Sequence, residues 1–286
     1  MKQLGISPVI ATVILTGILL TTITVAVYFS TSLIDANRQM MEYEAAKDQL
    51  TYAATVLEQV AFGTGGSRYI RFSLTSTGIN FMNYGSYLDF RVCNVGGVCS
   101  QLRSPIPLQG IAVKGGPLVT TVSRLLYPET GDLSVEQRKL LVEPGVPLVI
   151  VYENFSRGAY AYLIAQRGRM IYNGAFNVTE RAANVDCDWD GQLSNLPRCK
   201  FNFYTLQIVR LEFGRLGGSG TVPVVFRNVG VDTYNYTFSG SRLTVTAMVR
   251  DQANRILQQQ SVTIDGPPAN GCVVIIKIAR INVSTG

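Results

Sequence analysis

The residues best suited to chemistry are Asp186, Asp188 and Asp190 in the run Asp186-Cys187-Asp188-Trp189-Asp190-Gly191. Carboxylates at alternate positions followed by glycine match the first half of a calcium loop. There, three oxygens converge on a hard cation and glycine permits the sharp turn. Gln192 would add its backbone carbonyl and Ser194 a water-linked contact, but the twelfth loop position is Pro197, so the closing bidentate glutamate is missing. A Cys187–Cys199 disulfide would close the loop and hold the ligands where flanking helices normally do. The competing reading is an acidic, stapled surface hairpin without an ion. Any calcium here would be structural, and no other cofactor is called for.

Nothing else in the chain assembles an active site. The 286 residues include no histidine, which removes the commonest general base and the commonest transition-metal ligand. No serine or cysteine has an arguable base near it in sequence. The run Gly214-Arg215-Leu216-Gly217-Gly218-Ser219-Gly220 looks like a phosphate loop but lacks a Gly-Lys-Ser/Thr ending and a following helix, so a hairpin between strands is expected. The chain reads as a non-enzyme.

The net charge is +6 and unevenly placed. Residues 1–62 hold three basic against five acidic side chains, and the remainder holds twenty-two against fourteen. The basic groups are scattered rather than clustered, which suits a solvated face and argues against nucleic acid as a partner. Of five cysteines, Cys93/Cys99 and Cys187/Cys199 form two short pairs and Cys272 is left over. Two local staples fit an oxidising, extracellular compartment, while five small buried apolar residues is the alternative. Four glycosylation sequons begin at Asn154, Asn177, Asn235 and Asn282, all beyond residue 63, as expected of a region that faces outward. Asn282 falls within a candidate buried strand.

From Arg68 onward hydrophobicity alternates with period two. Ile70, Phe72 and Leu74 show it, as do Leu88, Phe90 and Val92, and Leu243, Val245, Ala247 and Val249. Further strands are expected at 147–152, 160–166, 169–172, 205–212, 221–226, 261–264 and 273–283, separated by Gly, Asn and Pro turns. Such a pattern predicts antiparallel sheets packed as an Ig-like sandwich. Phe90-Arg91-Val92-Cys93-Asn94-Val95-Gly96 is echoed by Phe226-Arg227-Asn228-Val229-Gly230, with Asn-Val-Gly expected at a turn after a strand in each. The echo leaves open two related units, divided near 184–200, or one elaborated sandwich. Residues 133–141 would form a short connecting helix before Pro144.

What must carry all this is the N-terminus. From Gln3 no charge appears until Asp35, and Val9 to Phe29 is interrupted only by Thr12, Thr16, Gly17, Thr21, Thr22 and Thr24. A helix built from it is greasy all round and needs a bilayer or a protein wrapping. Ser7 suits the cap and Pro8 the first turn. Beyond Ser32 the pattern turns amphipathic, with Leu33, Ala36, Met40, Tyr43, Leu50, Ala54, Leu57 and Ala61 at three- and four-residue spacing. Glu44 and Lys47 are expected to be mere surface neighbours, as are Asp48 and Tyr52. Gly63-Thr64-Gly65-Gly66 ends the helix. A rod from Ile6 to Phe62 is about 85 Å long, against a hydrocarbon thickness of roughly 30 Å, so its second half needs another protein surface.

The start, Lys2-Gln3-Leu4-Gly5 followed by Ile6-Ser7-Pro8-Val9-Ile10-Ala11-Thr12-Val13-Ile14-Leu15, resembles the archaeal type IV pilin-like proteins. Their class III signal is cut by a prepilin peptidase just before the hydrophobic segment. The resemblance implies a signal peptide over 1–5, cleavage between Gly5 and Ile6 guided by Lys2, a polymerising helix over 6–62 and a β-rich outer domain over 63–286. The basic cluster near the cut is thinned to Lys2, and Ile10 stands where bacterial members carry glutamate, which suits the archaeal group. The wording of Ile6–Leu15 is closer to adhesion-type pilins than to archaellins.

On this resemblance the fold is α+β, a long N-terminal helix followed by an antiparallel β-sandwich. The precursor would sit in the membrane and be handled by the peptidase and a membrane assembly machinery. The mature chain would form a homopolymer, an extracellular cell-surface filament whose helical core is built from Ile10, Ile14, Leu15, Ile18, Leu19, Ile23 and Val27 with the β domains outside. Adhesion or surface contact is the role such a filament would serve. The alternative is a membrane-anchored surface binding protein exported by the same signal.

Overall fold

The computed structural model describes residues 8–63, 66–102, 104–155, 158–178, 199–216 and 220–285. Helix α1 (Pro8–Phe62) is continuous over 55 residues, a rod of about 83 Å. It stops at Gly63, whose N–H donates to Gln59 O at 2.9 Å. A Cβ at Gly63 would lie 2.2 Å from that same carbonyl, so only glycine closes the turn there.

Strands follow in the order β1 (Ser67–Leu74), β2 (Gly78–Asn94), β3 (Cys99–Gln101), β4 (Ile106–Lys114), β5 (Arg124–Tyr127), β6 (Leu141–Val142), β7 (Val149–Phe155), β8 (Ala159–Ala165), β9 (Gly168–Val178), β10 (Cys199–Phe213), β11 (Gly220–Ser239), β12 (Arg242–Asp251), β13 (Ile256–Asp265) and β14 (Gly271–Thr285). A four-residue helix, α2 (Leu133–Glu136), lies between β5 and β6 and is capped by the Asp132 side chain. It is shorter than the 133–141 helix expected from sequence, because Leu141 and Val142 leave it to pair with β9.

The strands form two sheets. One has the order β1-β11-β14-β10-β9-β6, the other β13-β12-β2-β4-β8-β7-β5 with β3 beside β2. Pairing is antiparallel except for β10 with β14 and β6 with β9. Both sheets mix strands from either side of residues 184–200, so the two-unit reading does not match the topology: β1 pairs β11 and β2 pairs β12 across that boundary. The Asn-Val-Gly echo also separates on inspection. Asn94-Val95-Gly96 turns after β2, with Gly97 N–H donating to Asn94 O. Asn228-Val229-Gly230 instead forms a bulge inside β11, where Gly230 takes φ 150°. Strands β10 and β11 are not a hairpin either, since β14 lies between them.

Two apolar clusters fill the sandwich. In one the sheets face each other directly through Leu88, Phe90, Val245, Leu206, Ile208 and Ile276. In the other they part, and the second half of α1 fills the gap against Ile111, Val151, Leu163, Val224, Phe226 and Ile281. The helix side of that wedge is rich in small residues, Ala46, Ala53, Ala54 and Ala61, which let the backbone approach both sheets.

Candidate functional site

The two halves of α1 meet different surroundings. Val9, Ile10, Val13, Ile14, Leu15, Ile18, Leu19, Leu20, Ile23, Val27, Leu33 and Ile34 are all more than half exposed. This stretch runs about 39 Å and is long and apolar enough to cross a membrane. It has no polar face. The six hydroxyl groups of Thr12, Thr16, Thr21, Thr22, Thr24 and Thr31 each donate to a carbonyl three or four residues back, at 2.7–3.0 Å. Each threonine is thereby satisfied inside the helix, and the rod presents methyl groups where it would otherwise present hydroxyls.

The second half is fixed at intervals by polar contacts. Gln39 Oε1 accepts from Leu118 N–H at 3.1 Å, and Glu42 Oε2 accepts from both the backbone N–H (2.7 Å) and the hydroxyl of Ser76. These Ser76 bonds hold the Glu42 carboxyl below its ordinary value. Lys47, 3% exposed, donates to Glu44 at 2.7 Å and to Glu153 at 3.2 Å. Glu153 is fully buried and also receives Arg124 and the Tyr43 hydroxyl. Burial pushes its carboxyl up, but Thr121, Arg124 and Lys47 outweigh this and leave it below the usual carboxylate range. Burial, and after it the same carboxylate, pushes the Tyr43 phenol well upward. Glu58 accepts from Leu148 N–H at 2.5 Å and Arg169 at 2.6 Å. At the helix end Asn228 Nδ2 donates to Val60 O and Ala61 O, each at 3.1 Å, filling carbonyls that lack intrahelical partners.

The sequence expectation for Glu44 and Lys47 is therefore corrected: Lys47 is no surface neighbour but the centre of a buried ion cluster. Its position between Tyr43 and Leu50 at helical spacing was the available signal. Asp48 and Tyr52 do lie on the exposed stripe. Of the other residues singled out, Cys93 and Cys99 are joined in a disulfide, Cys199 is disulfide-bonded and Cys272 is free and buried. Asn177 and Asn235 are exposed on β9 and β11, Asn154 is half-buried on β7, and Asn282 is half-buried on β14 against Gly214. Lys2, Gly5, Ile6, Cys187, Asp186, Asp188 and Asp190 lie outside the described residues. Among the described residues no group of three or more His, Cys, Asp or Glu is placed to hold a metal ion.

No protein-family model, curated protein or solved structure matches this chain.

Proposed function

We propose that this chain is the structural subunit of an extracellular filament of the archaeal type IV pilus kind, assembled through the first half of α1. The observation that carries the reading is the division of one unbroken helix into an uncovered apolar rod and a half locked into the β body. A rod with no polar face is unstable in water. It gains by moving from lipid into a bundle of identical helices, where burial is kept while neighbours change. The locked half supports transmission of that contact to the outer domain, since the helix and the sandwich share one core. Successive copies meeting through unlike surfaces of a screw-related stack need not close, so the assembly grows as a fibre. Its role is contact or adhesion at the cell surface, and no catalytic step is involved. Processing before Ile6 would free the helix for assembly.

A single-pass anchor for a surface binding protein is the second reading, favoured by the match of the exposed rod, about 39 Å, to a bilayer. Negative-stain microscopy of material sheared from cells distinguishes the two, because only a polymer yields filaments. N-terminal sequencing of the mature chain tests processing, with Ile6 as the expected first residue.

A further inference from the structure

Contacts along α1 fix the level at which each neighbouring segment lies. Strand β7 runs down the helix: Leu148 N–H is held by Glu58, and farther on Glu153 meets Lys47 and Tyr43. Its last residue, Phe155, is two positions beyond Glu153, about 7 Å closer to the N-terminal end of the helix. The connection between β4 and β5, residues 115–123, reaches the same level. Arg124 pairs with Glu153 across the strands, and the Ser123 hydroxyl donates to Asn154 at 2.8 Å. Nearer β4, Leu118 N–H donates to Gln39, and Gly116 approaches so closely that a Cβ there would lie 2.4 Å from the Gln39 side-chain oxygen. Helical side chains lean toward the helix N-terminus, so this connection sits no farther from the free rod than Gln39 does.

Residues 115–123 carry no charge. Val119 turns inward and anchors them, whereas Leu118 is 51%, Val122 69% and Phe155 50% exposed. Exposed Arg38, Lys114 and Arg124 surround these three. The acids near them are exposed Asp35, Glu42 held by Arg38 and Ser76, and Glu44 held by Lys47. Exposed apolar residues occur elsewhere on the body, and what sets these apart is their level. Gln39 lies about 7.5 Å past Ile34, the end of the uncovered apolar run, and the headgroup layer outside the hydrocarbon is about 5–7 Å deep. A run of about 39 Å exceeds the hydrocarbon thickness, so it tilts or sinks to stay covered, and either movement draws the body down.

We propose that this pole of the body docks on the surface of the bilayer that holds the rod. Leu118, Val122 and Phe155 enter the boundary between headgroups and acyl chains, while Arg38, Lys114 and Arg124 meet lipid phosphate. The inference rests on membrane residence of the first half of α1 and adds a second, peripheral contact to it. Lipid is the occupant because the patch adjoins a rod that lipid covers, and because its rim is basic where the membrane surface is anionic.

The test uses the full chain with Trp189→Phe, which removes its one tryptophan, in phosphatidylcholine–phosphatidylglycerol vesicles with and without lipid brominated near the headgroup end of its acyl chains. A tryptophan is then introduced singly by Phe29→Trp in the rod, by Leu118→Trp or Val122→Trp at the pole, or by Val135→Trp. Val135, on α2, is tied through Glu136, Arg167 and Pro147 to the level of Glu58, about 28 Å farther along the axis than Gln39. All four side chains are at least half exposed, so each variant should melt as the parent does. Brominated lipid is expected to quench the rod and both pole positions strongly and to leave Val135→Trp unchanged. Quenching of Phe29→Trp with none at either pole position overturns the docking and leaves the rod in lipid. No quenching anywhere overturns membrane residence and the docking with it. Equal quenching of Val135→Trp marks unspecific contact of the whole body and overturns the proposal. Pole positions shielded from bromine in vesicles where the chain cross-links as dimers would assign the patch to a second copy and also overturn it.

Discussion

Leu15 and Leu57 are the same residue type on the same helix, yet one is 68% exposed and the other fully buried. Between Val9 and Ile34 the helix is lined with large apolar side chains and nothing among the described residues covers them. Between Tyr43 and Ala61 its apolar residues are smaller and interrupted by charge, and both sheets close over them. Hydrophobicity therefore does not decide which half is buried within the chain. The docked half combines small residues that permit close approach with side chains, Gln39, Glu42, Lys47 and Glu58, that reach fixed partners on the sheets. The free half offers bulk and no addressable polar group, which under the proposed assembly suits a surface that moves from lipid to identical neighbours.

The sharpest way to break the contrast is a charge on the free half. Leu15→Asp or Ile18→Asp should abolish filaments, because an isolated carboxylate is not cheaply buried in a bundle core, while the melting of the β body stays unchanged. Normal filaments in sheared preparations from such a mutant would sink the assembly reading. Next in size is the ion cluster. Lys47→Met leaves Glu153 buried with only Arg124 to pair it, and chemical denaturation should report a loss of roughly 3 kcal/mol.

Leu57→Ala should cost about 3 kcal/mol in the same assay, whereas Met41→Ser on the exposed stripe should change stability by less than about 0.5 kcal/mol. Equal costs would mean that the two faces of the helix are not distinguished as described. The smallest effect is acid sensitivity. Glu42 and Glu153 titrate below their ordinary value of 4.5 in the folded chain, so the unfolded chain takes up protons first. Their contribution is complete above that ordinary value and is lost as the pH falls through the lowered folded values. The melting temperature should hold from about pH 7 to about pH 5 and decline below, and Glu153→Gln should flatten the decline. A curve that rises on acidification would reverse the assigned sign.

Much of the fold is legible in sequence because periodicity is local. The switch from an all-round apolar helix to an amphipathic one, and then to period two at Arg68, marks α1 and the first strand to within a few residues. The strands at 88–92, 243–249 and 273–283 fall inside β2, β12 and β14. Ile106–Lys114 escapes such a reading, since its burial breaks alternation over Gly110–Val113, and so does the outer half of β11, whose inner positions are Asn228, Gly230, Asp232, Tyr234 and Tyr236 rather than aliphatic residues. The helix shortened to Leu133–Glu136 for the same kind of reason: a two-residue pairing with β9 overrode a favourable local pattern.

By itself the sequence determined that residues 9–34 form a charge-free apolar helix, that a β-rich body follows, and that histidine chemistry is absent. These depend only on which residues are present and at what spacing. Only the tertiary structure decided where α1 stops being free. That depends on Glu153, Ser76, Arg169 and Asn228, which lie tens to more than a hundred residues away in sequence and reach the helix only after two sheets have interleaved. Which strands end a sheet, β1 and β6 in one and β13 and β5 in the other, was decided the same way, because whether a strand has a neighbour is a property of the sheet and not of the strand.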